Sequence, residues 1–282
     1  MTVTTLTSAP SLARVFATAA LTAYGRKGTT LPDRSLRLEG VRVDRVHLLS
    51  YQRLCAFGVG DVLPHTYPHV LGFPLQASVM ADRAFPMALP GLVHVANTIT
   101  VHRRLTADDV LDLTVTARDL RPHAKGRVVD LVTEVDVAGE RVWEGRSTYL
   151  SRGPAHPGAP AEAAAPTLPP GDPVAVLRVP DDIGRRYAGV SGDVNPIHLH
   201  PLTAKLMGFP RAIAHGMWTG ARTIAAVSNR AGDPSTSRIW FRKPVLLPST
   251  VEITRATTGD TLVAGMRSRR RPELEHLVLT LG

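Results

Sequence analysis

Cysteine is almost absent from this chain of 282 residues, in which Cys55 is the single one. An intramolecular disulfide is therefore excluded, and this favours a reducing compartment. The sequence also lacks any run of about 18 uncharged apolar residues, the length that a membrane-spanning helix needs. Residues 1–25 have no charged leader followed by a long apolar segment, since Arg14 interrupts the apolar residues. The sequence therefore predicts a cytoplasmic chain without membrane insertion.

Aromatic residues are scarce as well, at 5%, although the formal net charge is +9. The 33 basic residues are spread along the chain, and the one dense basic run, residues 267–271, has no aromatic residue within it. Platforms that bind single-stranded nucleic acid stack bases on aromatic side chains, so the composition argues against nucleic acid as a partner. The basic run is interpreted as a solvated hairpin turn or, alternatively, as a contact for the phosphates of a thioester carrier.

The most informative stretch is residues 187–198, with the sequence YAGVSGDVNPIH. Its first part continues a helix that is predicted to end at Gly192, because glycine tolerates the left-handed conformation of a helix C-terminus. Asn195 precedes a proline and is biased toward an extended conformation, which places Asp193 and His198 on an irregular loop. An imidazole and a buried carboxyl group suit proton transfer at two adjacent substrate atoms. The alternative is a structural loop whose polar side chains cap their own backbone.

A second cluster follows at residues 206–217, LMGFPRAIAHGM. It leads into a helix of small and apolar residues that is predicted to span 214–231. The N–H groups at the start of such a helix, among them that of Gly216, can stabilise negative charge that develops on a carbonyl oxygen.

Together the two clusters resemble the signature of the MaoC-like (R)-specific enoyl-thioester hydratases, also called hydratase 2. The resemblance covers about residues 174–282. The first half, through residues 63–68 and 96–105, further resembles the actinobacterial two-domain 3-hydroxyacyl-thioester dehydratases. This resemblance implies an α+β double hotdog, in which two units each wrap an antiparallel sheet around a central helix. It also implies a hydro-lyase that interconverts (R)-3-hydroxyacyl and trans-2-enoyl thioesters in fatty-acid metabolism.

The resemblance further implies roles for individual residues. Asp193 and His198 are expected to be the acid and base, supported by Asn195, while the N–H of Gly216 binds the thioester oxygen. Substrate contacts are expected from Ser191, His215, Met217, Arg242 and Lys243. The last two are candidates for the phosphates of coenzyme A or an acyl carrier protein, or alternatively for an ordinary exposed edge.

No metal or redox cofactor is expected, because the family uses none. His198, His200 and His215 could imitate a zinc set, but no cysteine or HExxH-type spacing accompanies them. The expected partner is the acyl thioester of coenzyme A or of an acyl carrier protein. Because two hotdog units already form a pseudo-dimer, the chain is expected to be a monomer or a homodimer.

A proline-rich segment divides the chain. Residues 152–173 contain seven prolines and no apolar periodicity, which predicts an exposed linker between residues 1–151 and 174–282. When residues 99–105 before this segment are aligned with residues 239–245 after it, apolar and polar residues alternate in the same way in both. This agreement indicates an internal duplication. The first half lacks the Asn-Pro-x-His spacing and is predicted to be degenerate and to bind the acyl chain. Its Asp61 and His65 are a weak candidate for a second acid–base pair.

Several elements are predicted in the first half from local patterns. Val41, Val43 and Val46 suggest a strand, and residues 50–58 suggest a helix that ends at glycine. Residues 64–74 are rich in proline and predict turns, before a second helix over 75–84. Alternating strands then follow in both halves.

Two rival functions are compatible with the same sequence. A hotdog acyl thioesterase would hydrolyse the same class of substrate, although the Asp-x-Asn-Pro-x-His spacing favours a hydratase. A non-catalytic subunit of a heteromeric dehydratase is the other rival, and the intact motif in the second half argues against it.

Overall fold

The computed structural model describes residues 2–21, 26, 28–156, 158–159, 164–168, 170–228 and 233–282. These residues form eleven strands and seven helices. The strands of the first half are β1 (Thr2–Leu6), β2 (Arg34–Arg42), β3 (Leu92–Val101), β4 (Val110–His123), β5 (Gly126–Val137) and β6 (Glu140–Arg152). Those of the second half are β7 (Ala175–Val179), β8 (Ser235–Phe241), β9 (Ser249–Thr258), β10 (Thr261–Ser268) and β11 (Glu275–Leu281).

The helices are distributed over both halves. The first half contains α1 (Leu12–Leu21), α2 (Arg45–Cys55) and α3 (Tyr67–Ala81), and the second half contains α4 (Ile183–Ser191), α5 (Pro196–Leu199), α6 (Pro201–Leu206) and α7 (Gly216–Val227). Within the described ranges, no helix combines the length and the apolar character that crossing a bilayer requires.

All eleven strands belong to one sheet, in the order β1-β2-β4-β5-β6-β3-β8-β11-β10-β9-β7. The order β2-β4-β5-β6-β3 in the first half corresponds strand for strand to β7-β9-β10-β11-β8 in the second. The halves join where β3 pairs with β8, and Thr98 lies directly opposite Arg238. These two residues are also equivalent in the alignment of residues 99–105 with 239–245, so the sheet has a pseudo-twofold axis at this pair.

Two buried helices occupy the concave side of this sheet. The α3 helix packs against β2, β4 and β5, and α7 packs against β9, β10 and β11. Large apolar side chains of both helices and of the strands form one continuous core. The predicted α+β double hotdog is therefore confirmed, whereas the division into residues 1–151, 152–173 and 174–282 stays a prediction.

The prediction of turns over 64–74 is wrong, because α3 already begins at Tyr67. Pro68 occupies the first turn, where a missing N–H costs nothing, and Pro74 lies inside the helix. Nearly all side chains of α3 are buried. Burial on every face stabilises the helix enough to override the propensity of its prolines.

The element before it also differs from the prediction. Val46 is not in a strand but in the first turn of α2, where its side chain is 72% exposed. The Asp44 carboxylate accepts hydrogen bonds from the N–H groups of Val46 and His47, which fixes the start of the helix. The helix ends at Ala56, which adopts the left-handed conformation (φ 56°), and not at a glycine.

Two further differences concern the ends of the first half. It contains two elements that no local pattern predicts: β1, which pairs in parallel with β2, and α1, which packs against α3. The proline-rich segment contains no helix or strand in its described residues beyond Arg152, but it is not fully exposed. Leu168 is buried, and its Cδ1 lies 2.0 Å from the point that a Cβ on Gly265 would occupy.

Buried imidazoles make the stability of this fold depend on pH. Burial lowers the pKa of His65 and His69 from 6.5 to about 4 and that of His94 to about 3. The unfolded chain therefore binds more protons than the folded chain below about pH 6.5, so this stabilisation is complete above that pH and declines as the pH falls toward 4. At about 1.4 kcal/mol per pKa unit, three such groups amount to several kcal/mol at pH 5.

We therefore expect the free energy of unfolding, measured in urea, to be several kcal/mol lower at pH 5 than at pH 7. Burial raises the pKa of Asp193 and acts in the opposite direction, but it is one group, whereas burial also lowers the pKa of His198, His215 and His276. The variant His65→Gln should reduce the pH dependence. Equal unfolding free energies at the two pH values would contradict this account.

Candidate active site

The motif loop is fixed by local hydrogen bonds at the end of α4. Gly192 adopts φ 72° and ends the helix, as predicted. The Ser191 hydroxyl donates to the carbonyl of Tyr187 (2.9 Å) and accepts from the N–H of Asp193 (3.2 Å). The Asp193 carboxylate in turn accepts from the N–H of Asn195 (3.1 Å). These contacts hold the Asp193 side chain at the wall of a cavity.

His198 lies on the short helix α5 and not on an irregular loop, so that part of the prediction is wrong. Asn195 is the N-cap of this helix, and its side chain accepts a hydrogen bond from the N–H of Ile197. Pro196 occupies the first helical position, where its fixed φ is suited to a helix start. The Asn-Pro pair that predicted a loop therefore starts a single helical turn instead.

The protonation of the His198 ring follows from its backbone contact. Nδ1 lies 2.8 Å from the carbonyl oxygen of Ile213, and a carbonyl can only accept, so Nδ1 carries the proton. The remaining nitrogen, Nε2, is then an acceptor in the neutral imidazole. This arrangement suits a base whose orientation is fixed by the backbone.

His215 joins the pair from the start of α7. Its ring stacks on that of His198 with centroids 3.6 Å apart, and its Nε2 donates to the backbone carbonyl of Asp193 (2.9 Å). The same nitrogen lies 3.9 Å from a carboxylate oxygen of Asp193. Tyr187 packs against the other side of the ring at 4.9 Å. His215 therefore positions both members of the predicted pair.

Burial favours the neutral forms of both Asp193 and His198. Burial raises the pKa of Asp193, although the nearby His198 and the Asn195 N–H oppose the shift. Burial lowers the pKa of His198, although Asp193 and the Ile213 carbonyl oppose the shift. A carboxyl group that holds its proton more tightly and an imidazole that holds it less tightly are suited to be general acid and general base near neutral pH.

The start of α7 lies beside this pair. His215 is the N-cap residue and makes no capping hydrogen bond with its side chain, and Gly216 and Met217 in the first turn of the helix line the cavity. A Cβ at Gly216 would lie only 3.2 Å from the Phe241 ring, and glycine therefore allows the ring to close over the helix start. Backbone N–H groups at this position can stabilise an oxyanion.

Asp193, His198 and His215 also form a possible metal-binding set, since one ligand atom of each lies within 4.8 Å of the others. Backbone carbonyls already bind one ring nitrogen of each histidine. His200 is not part of the set, because its Nδ1 accepts from the N–H of Leu202 at the start of α6.

One cavity of about 720 Å³ contains the whole candidate site. All nine predicted site residues line it, namely Ser191, Asp193, Asn195, His198, His215, Gly216, Met217, Arg242 and Lys243. Arg242 is engaged by Glu275 (2.8 Å), whereas Lys243 is exposed at the rim. The roles of these residues remain predictions.

No sequence motif marks the residues that the first half contributes to the cavity. Apolar and polar side chains of α3, β3 and β6 line the same cavity, and Lys125 and Arg152 lie at its rim. His47 of α2 also supports the motif loop from the first half, because its Nε2 donates to the carbonyl of Val190 (2.7 Å). These contacts arise from pairing between the halves and not from local sequence.

Asp61 and His65 do not form a second acid–base pair. Asp61 is exposed and pairs with Arg45, while His65 is buried and contacts the Ser237 hydroxyl at 2.7 Å. The lining of the cavity includes neither residue. The basic run 267–271 begins in β10, where Arg267 pairs with Glu252, and continues into the turn before β11. None of its residues lines the cavity.

Comparison with known proteins identifies the family. The sequence profile of the MaoC like domain matches residues 161–275. The chain is 39% identical over 224 residues to 3-hydroxyacyl-thioester dehydratase X of Mycobacterium tuberculosis. This alignment covers 78% of this chain and 79% of that protein. The chain is also 29% identical over 161 residues to peroxisomal enoyl-CoA hydratase 2 of Arabidopsis thaliana, over 51% of this chain and 52% of that protein.

The fold agrees with the sequence comparison. The crystal structure of HtdX from Mycobacterium tuberculosis superposes with a TM-score of 0.78 at 35% identity, covering 88% of this chain and 99% of that chain. With this match over both halves, and with the motif loop and the helix start on one cavity, the chain belongs to the MaoC-like 3-hydroxyacyl-thioester dehydratase family.

Proposed function

We propose that the chain is a hydro-lyase that catalyses the reversible dehydration of (R)-3-hydroxyacyl thioesters to trans-2-enoyl thioesters in fatty-acid metabolism. The observation that carries the proposal is the placement of Asp193 and His198 on one cavity beside the start of α7. A carboxyl group, an imidazole and an oxyanion site are the three groups that this reaction requires.

In the hydration direction, a base takes a proton from water as the oxygen attacks C3 of the enoyl thioester. The electrons of the C2–C3 double bond move toward the thioester carbonyl, whose oxygen becomes enolate-like. An acid then delivers a proton to C2, so that one water is added across the double bond. Dehydration follows the same steps in reverse, with removal of the C2 proton and departure of the C3 hydroxyl as water.

The pKa shifts support one assignment of these roles. Neutral His198, with Nδ1–H held by the Ile213 carbonyl, takes the proton from water through Nε2. Asp193, whose pKa is raised by burial, delivers the proton to C2. The N–H of Gly216 at the start of α7 stabilises the enolate-like oxygen, and Asn195 holds the loop that carries the pair. The exchanged roles would require a charged imidazole and a charged carboxylate in the buried site before the substrate reacts, which burial disfavours.

The first half is proposed to bind the acyl chain. The cavity extends along α3 and β3 past apolar side chains, among them Phe73, Met80, Leu89 and Leu92. Burial of alkyl groups against such residues contributes about 0.8 kcal/mol per CH₂. We therefore propose that residues 1–151 form the acyl-binding unit and that residues 174–282 form the catalytic unit.

The carrier is proposed to approach the basic rim of the cavity. Lys125, Arg152 and Lys243 lie there, and they can attract the phosphates of coenzyme A or of an acyl carrier protein. Arg242 is less available, since Glu275 and the carbonyl of Pro166 already engage it. The proposed setting is the cytoplasm, as a monomer or a homodimer.

Product analysis separates this function from its rivals. Purified full-length chain is mixed with crotonyl-CoA, and the enoyl absorbance and the free thiol are followed in parallel. A hydro-lyase lowers the absorbance without releasing thiol. Release of thiol at the same rate would instead indicate a thioesterase, and no change in either signal, with crotonyl-CoA or with longer enoyl thioesters, would indicate a non-catalytic subunit.

A further inference from the structure

A polar cluster interrupts the apolar wall of the first half. It consists of His69 and Gln76 on α3, His94 on β3 and Tyr149 on β6, and we refer to these four residues as the chain-side cluster. His69, His94 and Tyr149 line the cavity, together with Val70 and Phe73 of the same helix. Proton transfer between the thioester and the Asp193–His198 pair does not use any of them.

Most members of the chain-side cluster are held by hydrogen bonds. The Gln76 amide donates to the Thr133 hydroxyl (2.9 Å) and lies 3.4 Å from His69 Nδ1. Its carbonyl oxygen accepts from the Tyr149 hydroxyl (3.2 Å). Because the Gln76 amide donates to Nδ1, the neutral His69 ring carries its proton on Nε2. The cluster is therefore rigid and has a defined donor pattern.

His94 is only partly satisfied. One of its ring N–H groups donates to the backbone of Ala96, and because Nε2 has no partner, that donor is Nδ1 and Nε2 is an acceptor. Its ring stacks on Tyr149 with centroids 4.6 Å apart and lies 6.0 Å from the ring of His69. Its Nε2 is buried, and no described residue is within hydrogen-bond reach of it. A buried polar atom without a partner costs free energy, so a structural histidine at this place would normally be paired.

The chain-side cluster lies one aromatic ring away from the reacting end of the substrate. The Phe241 ring is 5.0 Å from that of His94, and its Cε1 lies 3.2 Å from the point that a Cβ on Gly216 would occupy. A thioester oxygen at Gly216 therefore places C2 and C3 before Phe241 and the later acyl carbons beside His94. Beyond the cluster the wall becomes apolar again, at Met80 and Leu89.

We propose that the chain-side cluster is a subsite for a hydroxyl group on an acyl carbon beyond C3, which donates its hydrogen bond to His94 Nε2. This inference rests on the proposed function, and it adds a class of substrate: acyl thioesters that carry a hydroxyl group in mid-chain and an apolar end. An unsubstituted chain would leave Nε2 of His94 unpaired, so such chains are bound less well.

The charges around the cluster fit a neutral ligand group. Burial lowers the pKa of His69 to about 4 and that of His94 to about 3, so both rings are neutral at pH 7. The ionisable groups that face these rings are each other, Tyr149 and, further along the cavity, Asp193. No cation of the described residues contacts the cluster, which disfavours a carboxylate as the ligand group.

The test compares trans-2-octenoyl-CoA with the same thioester carrying one hydroxyl group at C5, C6 or C7. At one of these positions we expect kcat/KM for hydration to exceed that of the unsubstituted chain by about fivefold to tenfold, the value of one added hydrogen bond. His94→Phe keeps the ring and should abolish this ratio. His102→Phe, the same chemical change at an exposed histidine just after β3 and outside the cavity lining, should keep it.

A ratio is used because a general loss from imperfect folding affects both substrates equally. If wild-type protein hydrates octenoyl-CoA but prefers no hydroxylated chain, the subsite is refuted while the proposed function stands. If it hydrates neither octenoyl-CoA nor crotonyl-CoA, the proposed function itself fails. A His94→Phe variant that loses the same factor on every thioester, including crotonyl-CoA, would keep the ratio and would also refute the subsite.

Discussion

Replacement of Asp193 by asparagine is expected to lower kcat/KM for enoyl-thioester hydration by roughly 100-fold or more, the usual contribution of a general acid. The amide has nearly the shape of the carboxyl group and can still accept from the Asn195 N–H, so the loop is retained. It cannot supply a proton to C2, and this is why the loss should appear in kcat. His198→Ala should cause a comparable loss because Nε2 no longer receives the proton of water.

Asp181→Asn is the matched control for this variant. It makes the same chemical change on an exposed carboxylate just before α4, and the activity should be unchanged. Circular dichroism and thermal unfolding of all three variants establish that they are folded. Wild-type activity in folded Asp193→Asn or His198→Ala would remove that residue from the catalytic pair.

The second large effect is expected at Gly184 in α4. A Cβ at this position would lie 1.9 Å from the carbonyl oxygen and 2.9 Å from the carbonyl carbon of His198. Backbone atoms cannot rotate away as a side chain does, so Gly184→Ala must push α5 away from α4. We expect a destabilisation of about 1–3 kcal/mol from overpacking. Because His198 moves with α5, we also expect a loss of about 100-fold in kcat/KM.

Gly189→Ala is the control within the same helix. A Cβ at Gly189 meets no atom within 4 Å, so alanine fits there and should stabilise the helix by up to about 1 kcal/mol. Its activity should equal that of the wild type. Full activity and stability of Gly184→Ala would mean that the close contact between α4 and α5 is not required for the position of His198.

The parts of the site that follow from local sequence were predictable. Gly192 ends α4 because its left-handed conformation favours glycine, and the small residues after His215 form the start of α7. The spacing from Asp193 to His198 placed both residues on one cavity. Only the single turn of α5 was missed, because the Asn-Pro pair serves equally well as an N-cap and first helical residue.

Features that depend on contacts between distant elements were not predictable. The α3 helix tolerates Pro74 because its other residues are buried against β4 and β5, and periodicity does not reveal this burial. The chain-side cluster reaches the site only because β3 pairs with β8 across the two halves. His94 and Tyr149 belong to strands whose sequences look like ordinary sheet, so neither indicated a role at the site.

The most direct measurement of the central claim is the hydration of trans-2-octenoyl-CoA by the full-length chain in D₂O, with the product examined by mass spectrometry and chiral analysis. The account predicts (R)-3-hydroxyoctanoyl-CoA with one deuterium at C2 and an intact thioester, formed by wild-type protein and nearly absent with Asp193→Asn. Free coenzyme A as the product, or the (S)-3-hydroxy thioester, would contradict it.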